Sequence, residues 1–598
     1  MCSFLTFGLP VGAQDLVPVS DITGGSSVFV FRASRKAAPK SIVSNVKPNR
    51  SKLQRVETAR KVTKQFSVIA KAAPRRVRSK TVDPTNQPPP VANMPKEQAA
   101  KILAGVGEYY SDKEDIERAL EYFREAVTLD AKNKNAQMGL SEVLALKGNQ
   151  LLVAEKAETA QALFKEAIEY NPKNAVAIYG LGEVLYELGK EDEALASYEK
   201  ALEYDKDLTE IYVPLGIIHY RKGEIAKADG YLTKSIAKSP DDAEAQYYLG
   251  LVRYTQNRNE EALTAFKKAA SINKNDAENH YYAGKAFKRL NREKEAVAEF
   301  EEAIRLKPDY FEAIFDLGAI NYELENYQAA VDHFKKATRL KNDNIEAYSN
   351  LADAYRQVGN FNDAEANYNL AITFISRNTE YSREETAQIY SYAGYVIGRQ
   401  CEINSRKFMK CGWDRAIKNF EKAAELSPNA SDYTNLGWAY YNSSKTAQNQ
   451  KLEAEAKAGL AKAKTALQKA IAMNPTFIEA PLLNLGVAQI DLGDYAGAVD
   501  SLKRVTEKRP EWNFAFYALG VAYRKSGDIK NAALTFRKTV EKDPNYVAAW
   551  SGLGESEFRN EKPEETKKVI EKLKKLNAVG EARKLEVLMM GAKFKSGY

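Results

Sequence analysis

The sequence predicts an all-α protein, an array of helical hairpins packed side by side. Three observations predict it. Gly182, Gly216, Gly250, Gly284 and Gly318 follow one another at 34-residue intervals, and Ala352 continues the series with the next smallest side chain. An alanine pair recurs at fixed offsets after these glycines: Ala194 and Ala201, Ala262 and Ala269, Ala296 and Ala303, Ala330 and Ala337. Ala228 keeps the first offset, while Ser235 replaces the second alanine. An aromatic lies inside each alanine pair, namely Tyr198, Phe266, Phe300 and Phe334. The glycine belongs to a first helix and admits the second. The alanines line one face of that second helix, and the aromatic fills the space between neighbouring hairpins. One such hairpin cannot bury its apolar face alone, so neighbours must stack.

Ahead of the array the chain is different. Of its 598 residues, the first 95 hold sixteen Lys and Arg against four Asp and Glu, a balance of +12. The remainder balances at −4, so a basic arm precedes a nearly neutral body. Residues 4–13, FLTFGLPVGA, end in small residues as a secretory cleavage site does, without the usual basic start and with a short apolar stretch. Residues 31–80 are rich in Arg, Lys and Ser and poor in acids, which is the pattern of an organelle transit peptide. Export is the favoured reading, and the organelle stays open beside it. Residues 14–95 read as a disordered linker with one strand-like run, Val28–Phe31, and a stiff triple proline at 88–90. Pro95 stands where a helix is ready to begin. No run of about 18 apolar residues occurs, so no ordinary membrane-spanning helix is expected.

Taken in order, the first-helix small residues are Gly139, Gly182, Gly216, Gly250, Gly284, Gly318, Ala352, Gly394, Gly437, Gly486, Gly520 and Gly554. A degenerate first unit with Ala119, Phe123 and Ala126 precedes them, which makes thirteen. Pro308, Pro428, Pro510 and Pro544 end second helices. Four intervals exceed the period: 43 residues from Gly139, 42 from Ala352, 43 from Gly394 and 49 from Gly437. The last excess is Ala/Lys-rich and reads as a lengthening of both helices of its hairpin. Residues 580–594 read as a closing helix.

This pattern resembles the tetratricopeptide repeat family over about residues 96–576, roughly four fifths of the chain. The resemblance implies a right-handed superhelical α-solenoid whose inner groove is lined by first-helix residues at offsets −6, −3, +1, +4 and +5 from the small residue. A groove so lined takes a protein or peptide segment. Here these offsets bring forward Tyr179, Tyr186, Tyr247, Tyr254, Tyr281, Lys285, Lys288, Arg289, Phe315, Tyr322, Arg356, Trp438 and Tyr441. Aromatic rings with a basic spot suit a segment carrying apolar anchors and an acidic group. Asn350, Asn435 and Asn484 sit at offset −2, as in the asparagine ladder of the O-GlcNAc transferase superhelix, but their run is broken. No unit carries Lys at −3, which argues against the carboxylate clamp that holds chaperone C-termini.

Cys401 and Cys411 bracket a ten-residue insertion within the ninth unit. Counting from Gly394 puts Cys401 where the first helix should end and Cys411 just before the second. A structural zinc site needs more ligands than these, and His219, His280 and His333 all lie in other units. A disulfide across the loop is favoured and is worth about 3 kcal/mol by loop entropy. Two free thiols, or a reactive Cys411 ahead of a helix, are the alternatives.

No phosphate-binding GxxxxGK[ST], GxSxG elbow or HExxH is present, so catalysis, metals and cofactors are not expected. The favoured function is a non-enzymatic scaffold for a protein or peptide in the groove. The alternatives are an assembly component of a bacterial envelope, whose basic arm meets anionic membrane, and, least favoured, an organellar protein contacting RNA.

Overall fold

The computed structural model describes residues 91, 93–378, 381–406, 412–476 and 478–595. The signal-like start, the basic arm, the Val28–Phe31 run and Cys411 lie outside them. The described residues form α-helices with one 3-10 turn, Thr209–Ile211, and no strand. Thirteen helical pairs follow in chain order. The first six are α1 (Lys96–Asp112) with α2 (Ile116–Leu129), α3 (Lys134–Val153) with α4 (Ala157–Tyr170), α5 (Ala175–Glu187) with α6 (Glu191–Tyr204), α7 (Tyr212–Arg221) with α8 (Ile225–Lys238), α9 (Ala243–Thr255) with α10 (Asn259–Ile272), and α11 (Ala277–Arg289) with α12 (Glu293–Leu306). Then come α13 (Phe311–Glu323) with α14 (Tyr327–Leu340), α15 (Ile345–Gln357) with α16 (Phe361–Ile375), α17 (Arg383–Arg406) with α18 (Trp413–Leu426), and α19 (Ala430–Asn449) with α20 (Glu453–Met473). The last are α21 (Glu479–Leu492) with α22 (Tyr495–Lys508), α23 (Asn513–Ser526) with α24 (Ile529–Lys542), and α25 (Val547–Arg559) with α26 (Pro563–Lys575), before the closing helix α27 (Val579–Lys595). This is an α-solenoid built from hairpins. It divides into two compact units, one ending at Ala313 and the other beginning at Ile314.

Local chemistry sets each hairpin. Asn174, Asp242 and Asn344 are N-caps whose side chains accept a backbone N–H of the first turn. Outside the ninth and tenth hairpins, each first helix is closed by a residue of positive φ seven residues after its small residue. Gly189, Gly223 and Gly359 take that position without strain, whereas Asn257, Asn291 and Glu325 adopt it despite a side chain. The proline expectation holds: α12, α18, α22 and α24 each stop two residues before Pro308, Pro428, Pro510 and Pro544.

In most hairpins the aromatic of the second helix presses on the glycine of its own first helix; Leu232, Leu467 and Leu502 take that place against Gly216, Gly437 and Gly486. A Cβ on Gly250 would lie 2.5 Å from Phe266, one on Gly318 2.9 Å from Phe334, and one on Gly520 2.7 Å from Phe536. This contact corrects the register of the second hairpin. Gly139, expected there as the first-helix small residue, meets Phe123 of the hairpin before it, whereas Gly148 meets Phe164 of its own. Gly148 stands 34 residues before Gly182 and 12 before Ala160, so the period extends one unit further back than Gly182. The excess lies at the start of α3, which begins 14 residues before Gly148, while α5 begins 7 before Gly182. Seven residues are close to two helical turns, so the added length leaves every later residue on its face.

The tenth hairpin follows expectation: α19 and α20 run 20 and 21 residues. The ninth does not. Cys401 was expected at a helix end, yet α17 continues to Arg406. Cys401 occupies the position that Gly, Asn or Glu takes elsewhere, and no glycine or proline follows it before Gly412 to stop the helix. Cys401 is buried, at 2% exposure, in the core of its unit. Its pairing with Cys411 lies outside the described residues.

At the C-terminal end α27 packs Leu585 against Gly554 and buries Ala582. Val579, Val587 and Met590 stay exposed on its other side.

Candidate functional site

The candidate face is made of first helices, and the two units carry separate parts of it. In the first unit most of the predicted rings are packed rather than open. Tyr179, Tyr186, Tyr247, Tyr254 and Tyr281 are between 1% and 9% exposed. Their offsets turn them down onto second helices. Tyr179 lies 5.8 Å from the Tyr198 ring, Tyr247 6.1 Å from Phe266, and Tyr281 5.9 Å from Phe300. The expectation that these tyrosines offer their faces to a ligand is corrected accordingly: they form the bed beneath the surface. Tyr282 and Tyr310, which offset counting passed over, complete that bed, with Tyr310 5.1 Å from Tyr281.

The basic residues lie on this bed. Arg289 places its guanidinium 3.5 Å from the centre of the Tyr254 ring and donates to the Tyr254 carbonyl at 2.6 Å. Lys285 holds its ammonium 5.6 Å from the Tyr281 ring centre. Lys285 and Lys288 are half-buried, and Arg289 is exposed. In the preceding hairpins Arg221 pairs with Glu191 at 2.6 Å and donates to the Tyr186 hydroxyl at 3.4 Å.

Opposite this basic end the first helices begin with acids. Glu210, Glu244, Glu278 and Glu312 each stand six residues before a glycine of the period, one per hairpin. Tyr247 donates its hydroxyl to Glu278 at 2.9 Å. Burial raises the Glu278 carboxyl above the usual carboxylate range; the Tyr247 bond and Lys307 oppose this, while Asp276 and Glu312 add to it. Burial, then Glu278, pushes the Tyr247 phenol far above its ordinary value. The acidic series went unnoticed in the sequence, although it keeps the same register as the glycines.

In the second unit Phe315 and Tyr322 are half-buried, with Phe315 5.6 Å from Phe334. Tyr322 accepts hydrogen bonds from Arg356 at 3.4 Å and Gln357 at 3.0 Å. Arg356 also donates to Asp353 at 3.3 Å, and Asp353 accepts the Tyr368 hydroxyl at 2.8 Å. Burial pushes the Asp353 carboxyl up, against the pull of Arg356 and Tyr368. Arg356 is therefore tied into a network rather than presented to solvent. Asn350 is half-buried, whereas Asn435 and Asn484 are fully buried. The last two point away from any ligand because offset −2 faces the packing side of the helix. Gly180, at that same offset in the third hairpin, likewise meets Phe164 of the hairpin before. Trp438 is 3% exposed and donates its indole N–H to Glu402 at 3.1 Å. Tyr441 stacks on Trp438 at 4.9 Å and donates to Asp491 at 2.9 Å.

The structure thus brings Tyr247, Tyr254, Tyr281, Lys285, Lys288 and Arg289 together on one face, with Trp438 and Tyr441 a separate pair. Among the described residues no group of His, Cys, Asp and Glu is arranged to hold a metal, and no helix is long and apolar enough to cross a membrane.

Family models described as TPR repeat match residues 182–223 and 320–359. Others described as tetratricopeptide repeat match 100–133, 277–310 and 345–377, then 163–196, 213–278, 482–511 and 517–565. No curated protein matches the chain. Among solved structures, YrrB, described as a TPR protein with an unusual peptide-binding site, is 23% identical, with 33% of this chain and 97% of YrrB covered and a TM-score of 0.29. A MamA protein is 23% identical over 29% of this chain and 94% of its own, with a TM-score of 0.27. The APC/C hetero-tetramer Cut9–Hcn1 is 14% identical over 77% of this chain and 98% of the matched chain, with a TM-score of 0.32.

Proposed function

We propose that this chain, a tetratricopeptide repeat protein, is a non-enzymatic scaffold that binds a protein segment along the first-helix face of its first unit. Proteins of this family mediate protein–protein interactions, and that coarse function applies here. The observation that supports the specific site is the tyrosine bed under Lys285 and Arg289. Rings locked by their neighbours lose no rotamer freedom when a partner arrives, and cations held over rings are oriented in advance. Such a surface accepts an acidic group at its basic end and apolar side chains beside it.

The test is charge reversal in the full chain. Lys285→Glu with Lys288→Glu should weaken capture of the natural partner by about tenfold and flatten its salt dependence. Both side chains are half-buried, so Lys285→Gln with Lys288→Gln serves as a second variant that keeps length without opposite charge. Unchanged affinity at low salt in both variants moves the site to the Asn350–Trp438 stretch.

A further inference from the structure

The closing helix α27 buries one side and leaves another open. Ala582 and Leu585 are buried and Met589 packs on the same core, so residues three and four apart mark the inner side. Val579, Arg583, Val587 and Met590 repeat at the same spacing on a second side. Val579 and Val587 are each 60% exposed and Met590 56%, and Arg583 is exposed between them. Elsewhere among the described residues no helix shows two large apolar side chains this open, which is how scattered surface residues behave. The outer face of a terminal unit in a repeat array is ordinarily polar. An apolar strip there marks an interaction surface.

We propose that α27 joins two copies of this chain, packing antiparallel against its own counterpart about a two-fold axis. The strip belongs to the second unit and the ligand face proposed above to the first, so the two readings stand independently.

The order of residues along the strip selects both the occupant and its direction. Val579 and Met590 are placed symmetrically about the point midway between Lys584 and Leu585, and so are Arg583 and Glu586. An antiparallel pair centred there sets Val579 against Met590 of the partner subunit at both ends. It also sets Arg583 against Glu586 of the partner subunit on both sides of the axis. Glu586 is half-buried at the edge of the strip, 2.7 Å from Lys574, and keeps part of its carboxylate open to a second cation. One helix thus supplies both halves of the apolar contact and both signs of charge. Parallel pairing would oppose Arg583 to Arg583 of the partner subunit, and like charges across an interface are costly. An anionic surface would suit Arg583 but repel Glu586. From Val579 to Met590 the strip is about 16 Å long. A single helix face of that length buries less than the roughly 1,200 Å² at which stable interfaces begin, so the dimer is transient. It carries two copies of the ligand face, which raises the effective concentration for a partner with two matching segments.

The experiment is sedimentation of the full chain between about 1 and 200 µM, a range suited to a transient interface. The average mass should rise towards that of two chains as concentration increases. Val587→Glu with Met590→Glu should keep the chain monomeric throughout. Both side chains are exposed, so the unfolding midpoint should not fall. Arg583→Glu and Glu586→Arg each bring like charges together across the axis and should weaken the dimer by at least about tenfold. Mixing these two variants should restore it, because every Glu then faces an Arg. A chain that stays monomeric at the highest concentration overturns the proposal and leaves the strip to a different protein. Dimers that survive the Val587 and Met590 variant put the interface elsewhere and overturn it as well. Charge variants that stay monomeric when mixed overturn the antiparallel pairing.

Discussion

Replacing Gly284 by alanine tests the packing rule on which the whole array depends. A Cβ built on Gly284 lies 2.8 Å from both Cδ1 and Cε1 of Phe300 and 3.3 Å from the Ala296 carbonyl oxygen. Ordinary contact begins at 3.4 Å, so the ring must retreat by about 0.6 Å. It has no open side to retreat into. Phe300 is fully buried, and the Tyr281 ring is centred 5.9 Å away. Overpacking of this kind costs about 1–3 kcal/mol. Alanine offsets roughly 1 kcal/mol of that through its better helix propensity. The expected net loss is about 1 kcal/mol, and Gly284→Leu should lose more. Gly230 is the matched control: it sits inside α8, is exposed, and has nothing within 4 Å of its Cβ position. Gly230→Ala should gain about 0.5–1 kcal/mol by propensity alone. The assay is urea unfolding followed by circular dichroism, with hydrogen exchange on α11 and α12 to localise the effect, because long arrays can unfold in parts. If Gly284→Ala raises the midpoint as Gly230→Ala does, the close approach of glycine and ring is not what fixes these helices.

Further predictions concern other points of the chain. Tyr368→Phe removes the buried hydroxyl that donates to Asp353 at 2.8 Å, and should cost about 1–3 kcal/mol in thermal unfolding. His280 lies 2.8 Å from Glu299, and that hydrogen bond raises the imidazole above 6.5. Because the folded value is raised, its contribution is fully present below pH 6.5 and is lost as pH rises through the folded value. His280→Gln should therefore lower stability at mildly acidic pH and leave it nearly unchanged at alkaline pH, as read by unfolding midpoints across the range. Non-reducing peptide mapping of protein from its native compartment should yield Cys401 and Cys411 as one linked species; free thiols at both would reject the staple and weaken the case for export. Mass spectrometry of the mature N-terminus should show cleavage after Ala13 if the signal reading holds, and an intact Met1 or a cut beyond residue 31 would reject it.

The sequence by itself determined the hairpin, its period and its helix ends. These are legible because they are local: a small residue, an alanine pair and an aromatic at fixed offsets specify one face, and Pro308 or Pro428 stops a helix wherever it stands. It also located the long tenth hairpin, but it misplaced the excess of the second, which sits at the start of α3 rather than after Gly139. Partner choice is not local, and there the tertiary structure decided. Gly139 and Gly148 are equivalent as letters, yet one meets Phe123 and the other Phe164, and a seven-residue helix extension hides the difference from any count along the chain. The offsets that marked Tyr247 and Tyr281 as groove residues were right about the helix face, but their burial depends on Phe266 and Phe300 from second helices and on Tyr310 from the loop before α13. Cys401 was placed by analogy at a helix end, and α17 ran past it because the inserted stretch that follows holds no glycine or proline to stop a helix.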